Sequence, residues 1–186
     1  KEVKFVGEGS TLFNGSTQYV DLGLQTTSGT DATVSAWIYT LDANVNDILR
    51  FGDMMVRMGS ATVLYVYPDG GGGANYITVP SVLNKWVHIC ITIKGTLVTY
   101  YYNGELVGTD TSSDGLSASS VTSYIGRYDT DYFKGSIKNV ALWNRALSAT
   151  EVQNVMHKTY DDLSGTLTSG LVSWWALESD YLDKHG

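Results

Sequence analysis

Turn signals recur roughly every 8–12 residues along this sequence, with short runs of strand-forming residues between them. No helical periodicity separates one run from the next. A parallel α/β sheet requires such helices, so it is excluded. What remains is an antiparallel body of roughly a dozen short strands, which reads as a two-sheet sandwich. The strands expected are 3–6, 11–14, 18–22, 32–40, 47–51, 55–58, 61–67, 75–79, 86–93, 97–103, 105–109 and 123–127, followed by one within 132–143 and a last one at 171–178. Asn103-Gly104 is the strongest hairpin dipeptide of the chain. In strand 32–40, Val34, Ala36 and Ile38 share one face, and Trp37 and Tyr39 share the other. The glycine run 70–73 lacks the lysine and following helix of a phosphate-cradling loop, so it reads as an exposed loop tip.

The stretch 132–156 departs from this pattern. Phe133, Ile137, Val140, Leu142 and Trp143 form a strand, but Ile137 and Val140 are three apart, so alternation fails between them. Either a bulge sits near Lys138-Asn139, or both faces of the strand are covered. Ser148 and Glu151 then make a capping box, and Val152, Val155 and Met156 share one helical face. This is the one convincing helix, spanning about 148–158, and 159–170 reads as a polar linker.

Composition narrows the function. The net charge is −7 and no basic cluster occurs, which argues against nucleic acid and against an anionic membrane surface. No apolar run is long enough to span a bilayer. Aspartate outnumbers glutamate by fourteen to five, which suits turns and cation ligation. Cys90 is the single cysteine, so no internal disulfide exists, and its apolar neighbours make it a small buried hydrophobe. His88, His157 and His185 have no metal-ligand spacing, and His88 reads as a core histidine. A start at Lys1 reads as a processed product or a piece of a longer polypeptide.

Five stretches, in order, carry a family resemblance: Phe13–Gly23, Thr33–Tyr39, Trp86-Val-His88, Val98–Gly108, and Tyr124-Ile-Gly126 leading to Phe133–Ile137 and Asn144–Ser148. In these the chain resembles the laminin-G-like jelly rolls of the concanavalin A-like lectin/glucanase superfamily. The resemblance implies an all-β, two-sheet antiparallel jelly-roll sandwich, a single domain over 1–186. Tyr100 and Tyr102 stand where relatives carry aliphatic residues, which assigns them to the core and Tyr101 to the outer face. Residues 170–178 with Asp180, Asp183 and Gly186 look like the family's first strand and loop, displaced to the C-terminus by permutation or as the start of a next repeat. Segment 171–178 is therefore expected to pair antiparallel with 135–144 within the chain, or else to exchange with a second protomer.

The superfamily includes glucanases. Their relatives carry both carboxylates on one strand as Glu-x-Asp-x-x-Glu, and here only Glu178-Ser-Asp180 occurs, with Asp183 in the third place. A glycoside hydrolase is therefore disfavoured. Many relatives hold a structural calcium where the first strand's loop meets the last strand. Carried over, its ligands are Glu178, Asp180 and Asp183 with Asn139, whose neutral oxygen weakens the site.

For a ligand, the segment 127–132 combines Arg127, Tyr128, Asp129, Asp131 and Tyr132, and Asp69, Asn75 and Tyr76 flank the glycine loop. Aromatic stacking beside planar polar groups is what sugars require, and loops on rigid strands present it. The sequence thus points to a non-catalytic carbohydrate-binding or adhesive module of a larger extracellular, cell-surface or virion-surface protein. Its partner would be a glycan or surface polysaccharide. The alternative is a structural domain of a virion or fibre, working as a homo-oligomer or beside repeats of the same polypeptide.

Overall fold

A computed structural model describes residues 9–25, 29–44, 46–69, 73–117 and 121–186. The strands are β1 (Thr11–Asn14), β2 (Val20–Leu24), β3 (Asp31–Thr40), β4 (Asn46–Phe51), β5 (Met54–Ser60), β6 (Val63–Tyr67), β7 (Asn75–Thr78), β8 (Trp86–Lys94), β9 (Leu97–Tyr102), β10 (Glu105–Thr111), β11 (Thr122–Ile125), β12 (Arg127–Tyr128), β13 (Asp131–Tyr132), β14 (Lys134–Trp143) and β15 (Leu171–Trp175). One helix, α1 (Ala149–Val155), follows β14. The expected strand at 3–6 and most of the glycine loop, 70–72, lie outside the described residues.

Two antiparallel sheets form the sandwich. The seven-stranded sheet runs β1-β14-β3-β8-β9-β10, with β15 also on β14, and the six-stranded sheet runs β2-β11-β4-β5-β6-β7. Between them, Val34, Ala36, Ile38, Ile89, Ile91, Tyr100 and Tyr102 of the first sheet meet Ile48, Phe51, Val56, Met58, Leu64 and Val66 of the second. Apart from Ile48, which sits in the bulge between Asp47 and Leu49, each is an inward position of its strand, so the period of two fixes both faces at once.

The stretch 132–156 resolves its broken alternation in both of the ways open to it. A bulge lies between Lys138 and Ala141 in the pairing with β3, and Asn139 takes the left-handed conformation there, with φ of 47°. Both faces of β14 are also covered: Ile137, Val140 and Leu142 face the inter-sheet core, whereas Ala141 and Trp143 belong to a second apolar layer outside the sheet. One edge of β14 serves two strands, β1 along Lys134–Ile137 and β15 along Val140–Trp143. The returning segment therefore pairs within the chain, antiparallel as expected. Asn139 sits at the junction, and its N–H donates to the Ala176 carbonyl at 3.0 Å.

Helix α1 closes the outer side of the seven-stranded sheet. Its capping box forms as read, Glu151 N–H donating to Ser148 Oγ and Ser148 N–H to Glu151 Oε2. Arg145 clamps Glu151 with two bonds of 3.0 and 2.7 Å, and this pair, chiefly, draws the Glu151 carboxyl down to about 2. Val152 and Val155 bury onto Cys90, Tyr101 and Trp143, so Tyr101 is on the outer face yet buried.

The reading of 159–170 as a polar linker is corrected. It folds into two 3-10 turns, Tyr160–Asp162 and Gly165–Thr168, because Leu167 is buried in the same outer layer. Trp143 Nε1 donates to the Leu167 carbonyl at 2.8 Å, satisfying the buried indole N–H.

His88 lies under this layer, fully buried, with Nε2 2.8 Å from Ser35 Oγ and its ring 5.3 Å from that of Trp37. Burial pushes its pKa down to about 3, so it is a neutral structural histidine.

Candidate functional site

With the outer side of one sheet closed by α1 and its turns, the outer face of the six-stranded sheet is where chemistry collects. Leu64 and Val66 point into the core, so Val63, Tyr65 and Tyr67 of β6 point outward. The registers of neighbouring strands carry this face across the sheet in two rows. One row is Asp21, Tyr124, Arg50, Met55 and Tyr67. The next is Asp47, Arg57, Tyr65 and Tyr76.

Three tyrosines form a continuous platform at the β6–β7 end. The Tyr65 ring is stacked 6.3 Å from Tyr67 and lies 5.5 Å from Tyr76, whose side is 59% exposed. Gly59 makes this possible. It occupies the bulge between Met58 and Ser60 of β5, and the Tyr65 ring rests on its bare Cα, where a Cβ would strike Tyr65 Cε2 and come within 2.7 Å of Cδ2.

Beside the platform stands a charge relay. Arg57 Nη2 donates to Asp131 Oδ2 at 2.8 Å, and Arg57 Nε lies 2.9 Å from Asp47 Oδ1. The second contact is an ion pair without hydrogen-bond alignment, and Asp47 Oδ2 is buried with no hydrogen-bond partner. Burial raises the Asp47 pKa to about 7, against the pull of Arg57 and with a smaller push from Asp131. Asp131, by contrast, has a side chain 53% exposed, so it presents a carboxylate at the surface.

The segment 127–132 is the short hairpin β12–β13, and it splits in role. Asp131 reaches over Arg57, and Tyr128 receives the Arg50 guanidinium over its ring at 4.9 Å. Arg127 turns the other way. Its guanidinium lies over Tyr19, Tyr124 and Tyr132 at 4.7, 5.2 and 5.7 Å, and Nε donates to the Asp129 carbonyl. Asp129, with φ of 52°, makes the turn. Tyr76 joins the face as noted. Asn75 does not: it is buried on the core side of β7, opposite Val66. Asp69 lies, half-buried, in the turn after β6.

Arg50, Arg57, Tyr65, Tyr67 and Asp47 were not among the sequence-level candidates. The signal was present as the alternations Met55-Arg57-Gly59 and Tyr65-Tyr67, one face of a strand each.

Of the carried-over calcium set, Asp180 and Asp183 already have protein partners. Asp180 Oδ2 is taken by Lys184 Nζ at 2.8 Å and Oδ1 by the Leu182 N–H, which keeps its pKa low. Asp183 Oδ1 accepts from the Trp174 and His185 N–H groups. Glu178 interacts with the buried Lys138 ammonium. Lys184 and backbone amides thus engage Asp180 and Asp183 Oδ1, whereas Glu178 Oε1 is buried with no hydrogen-bond partner, and among the described residues no group of three or more His, Cys, Asp or Glu could hold a metal. Nor is any helix, among those residues, long and apolar enough to cross a membrane.

Together these features define a lectin-like β-sandwich with one open, tyrosine-lined sheet face. Residues 14–153 match the Laminin_G_3 family model, described as the concanavalin A-like lectin/glucanases superfamily, and the chain belongs to that family. No curated protein matches by sequence. Among solved structures, a candidate carbohydrate-binding protein from Bacteroides ovatus superposes with a TM-score of 0.73 at 22% identity, over 93% of this chain and 53% of that one. The chain thus spans about half that protein's length. A heptameric SAP-like pentraxin from Limulus polyphemus gives 0.71 at 19% identity, over 99% and 95% of the two chains. The CBM40 of a Ruminococcus gnavus IT-sialidase, bound to α2,3-sialyllactose, gives 0.63 at 14% identity, over 80% and 97%. At these identities the likeness establishes the fold.

Proposed function

We propose that the chain is a non-catalytic carbohydrate-binding module of a secreted or surface protein, and that it takes glycan on the outer face of the six-stranded sheet. The observation that carries this is the Tyr65–Tyr67–Tyr76 platform set directly beside the Arg57–Asp131 pair. Tyrosine rings take the C–H face of a sugar, and a fixed guanidinium–carboxylate pair donates to and accepts from its hydroxyls. The solved relatives whose names record carbohydrate binding support the reading. Against hydrolysis, the acids of 178–183 follow β15 on the other sheet, and Asp180 and Asp183 are engaged by Lys184 and backbone amides.

Tyr76→Ala separates this function from folding. Tyr76 is mostly exposed, so its removal leaves the melting temperature unchanged within about 2 °C. On a glycan array the wild type binds at least one glycan family, and the variant binds it about tenfold more weakly. A wild type that binds no glycan, or a variant with undiminished binding, refutes the assignment.

A further inference from the structure

We infer that the ligand of this face is an uncharged oligosaccharide lying across the strands, rather than an acidic glycan. The inference rests on the carbohydrate reading above and narrows it to a substrate class.

The cations of the face are already engaged. Arg57 is shared between Asp47 and Asp131, at 2.9 and 2.8 Å. Arg50 gives Nε to the Gly52 carbonyl at 2.7 Å, has Asp53 at 3.6 Å, and lies against Tyr128. Arg127 is sandwiched among three tyrosine rings. A carboxylate-bearing sugar would therefore have to displace one of these partners. It would meet Asp131 first, the exposed acid in front of Arg57, on a chain of net charge −7. Like charges brought together at a partly desolvated site disfavour binding. A sugar hydroxyl meets no such obstacle, since Asp131 accepts from it without losing Arg57.

The geometry also sets direction and length. The row Asp47, Arg57, Tyr65, Tyr76 runs perpendicular to the strands, from β4 to β7. Three strand spacings span about 14 Å, the length of a short oligosaccharide. Gly59 is the positioning residue of this row. It touches no ligand, but only a residue without Cβ lets the Tyr65 ring lie over β5 and continue the platform toward Arg57.

Calorimetry at neutral pH with paired probes tests this: lactose against sialyllactose, galactotriose against trigalacturonate, and a set of neutral trisaccharides of arabinose, xylose, mannose and glucose. The expected result is binding of at least one neutral trisaccharide, with every acidic partner at least about tenfold weaker than its neutral match. Asp131→Asn narrows that gap by weakening the neutral ligand and relieving the acidic one. Gly59→Ala weakens the neutral ligand about fivefold or more while the tyrosine near-UV signal changes and cooperative melting is retained. An acidic probe bound more tightly than its neutral match overturns the inference and leaves the carbohydrate reading standing. Failure of every probe to bind overturns the inference, and absence of any binding on the glycan array overturns the carbohydrate reading with it. Undiminished binding by Gly59→Ala overturns the platform geometry.

Discussion

Gly135→Ala is expected to destabilise the protein by more than about 3 kcal/mol, with a matching fall in the denaturant midpoint. Gly135 lies in β14 between β1 and β3, paired with Phe13 on one side and Thr40 on the other. Its φ is 144°, a conformation that L side chains rarely adopt. A Cβ there would collide with the Tyr39 carbonyl oxygen and come within 3.0 Å of the Tyr39 carbonyl carbon and 3.1 Å of the Phe133 ring. Those are backbone and core atoms in the most heavily paired part of the sheet, so neither can step aside. Gly95→Ala is the control. It also has positive φ, at 59°, but an added Cβ there meets nothing within 4 Å, so it should cost only about 1 kcal/mol. Equal losses for the two variants would show that conformation, and not the close approach of the strands, sets the cost.

Arg57→Ala is expected to abolish glycan binding and to destabilise the fold in a pH-dependent way. The substitution leaves Asp47 buried without its cation, a change that costs about 3–5 kcal/mol when the charge persists. Asp47 can escape by staying protonated. Its folded pKa is already about 7, against 3.8 for the ordinary side chain, and the loss of Arg57 moves it higher. Between those values the folded protein holds a proton that the unfolded chain has released, so stability falls as pH rises through the window. In the wild type that decline ends near pH 7, whereas in the variant it continues above it. The gap between the two proteins should therefore be small at pH 5 and widest at pH 8 or above. Chemical denaturation at both pH values checks this. A loss of the same size at pH 5 and pH 8 would mean that Asp47 does not carry the buried charge.

How far the sequence anticipated these features depended on whether the deciding contact was local. The strands were legible because one buried face writes a period of two, and the failed alternation at Ile137 and Val140 left open a bulge near Lys138-Asn139 or two covered faces, both of which the strand shows. The capping box of α1 was equally local. Residues 159–170 were not legible as structure, because what orders them is remote: Leu167 finds Trp143 and Val152 in the outer layer. The hairpin 127–132 was recognisable as chemistry, yet its composition could not divide Arg127, which serves the Tyr19–Tyr124–Tyr132 stack, from Asp131, which serves Arg57. Nor could spacing along the chain bring Tyr76 to Tyr65, or Asp47 to Arg57. Those meetings are made by register across four strands, and register is settled by the turns and the core together.

The central claim is that a glycan occupies the outer face of the six-stranded sheet. Amide and tyrosine chemical-shift mapping during titration with a neutral oligosaccharide ligand measures this directly. The account predicts shifts concentrated at Arg57, Gly59, Tyr65, Tyr67, Tyr76 and Asp131, with β15 and α1 unmoved. Shifts concentrated instead on 176–183 or on α1, with Tyr65 and Tyr76 silent, would contradict it.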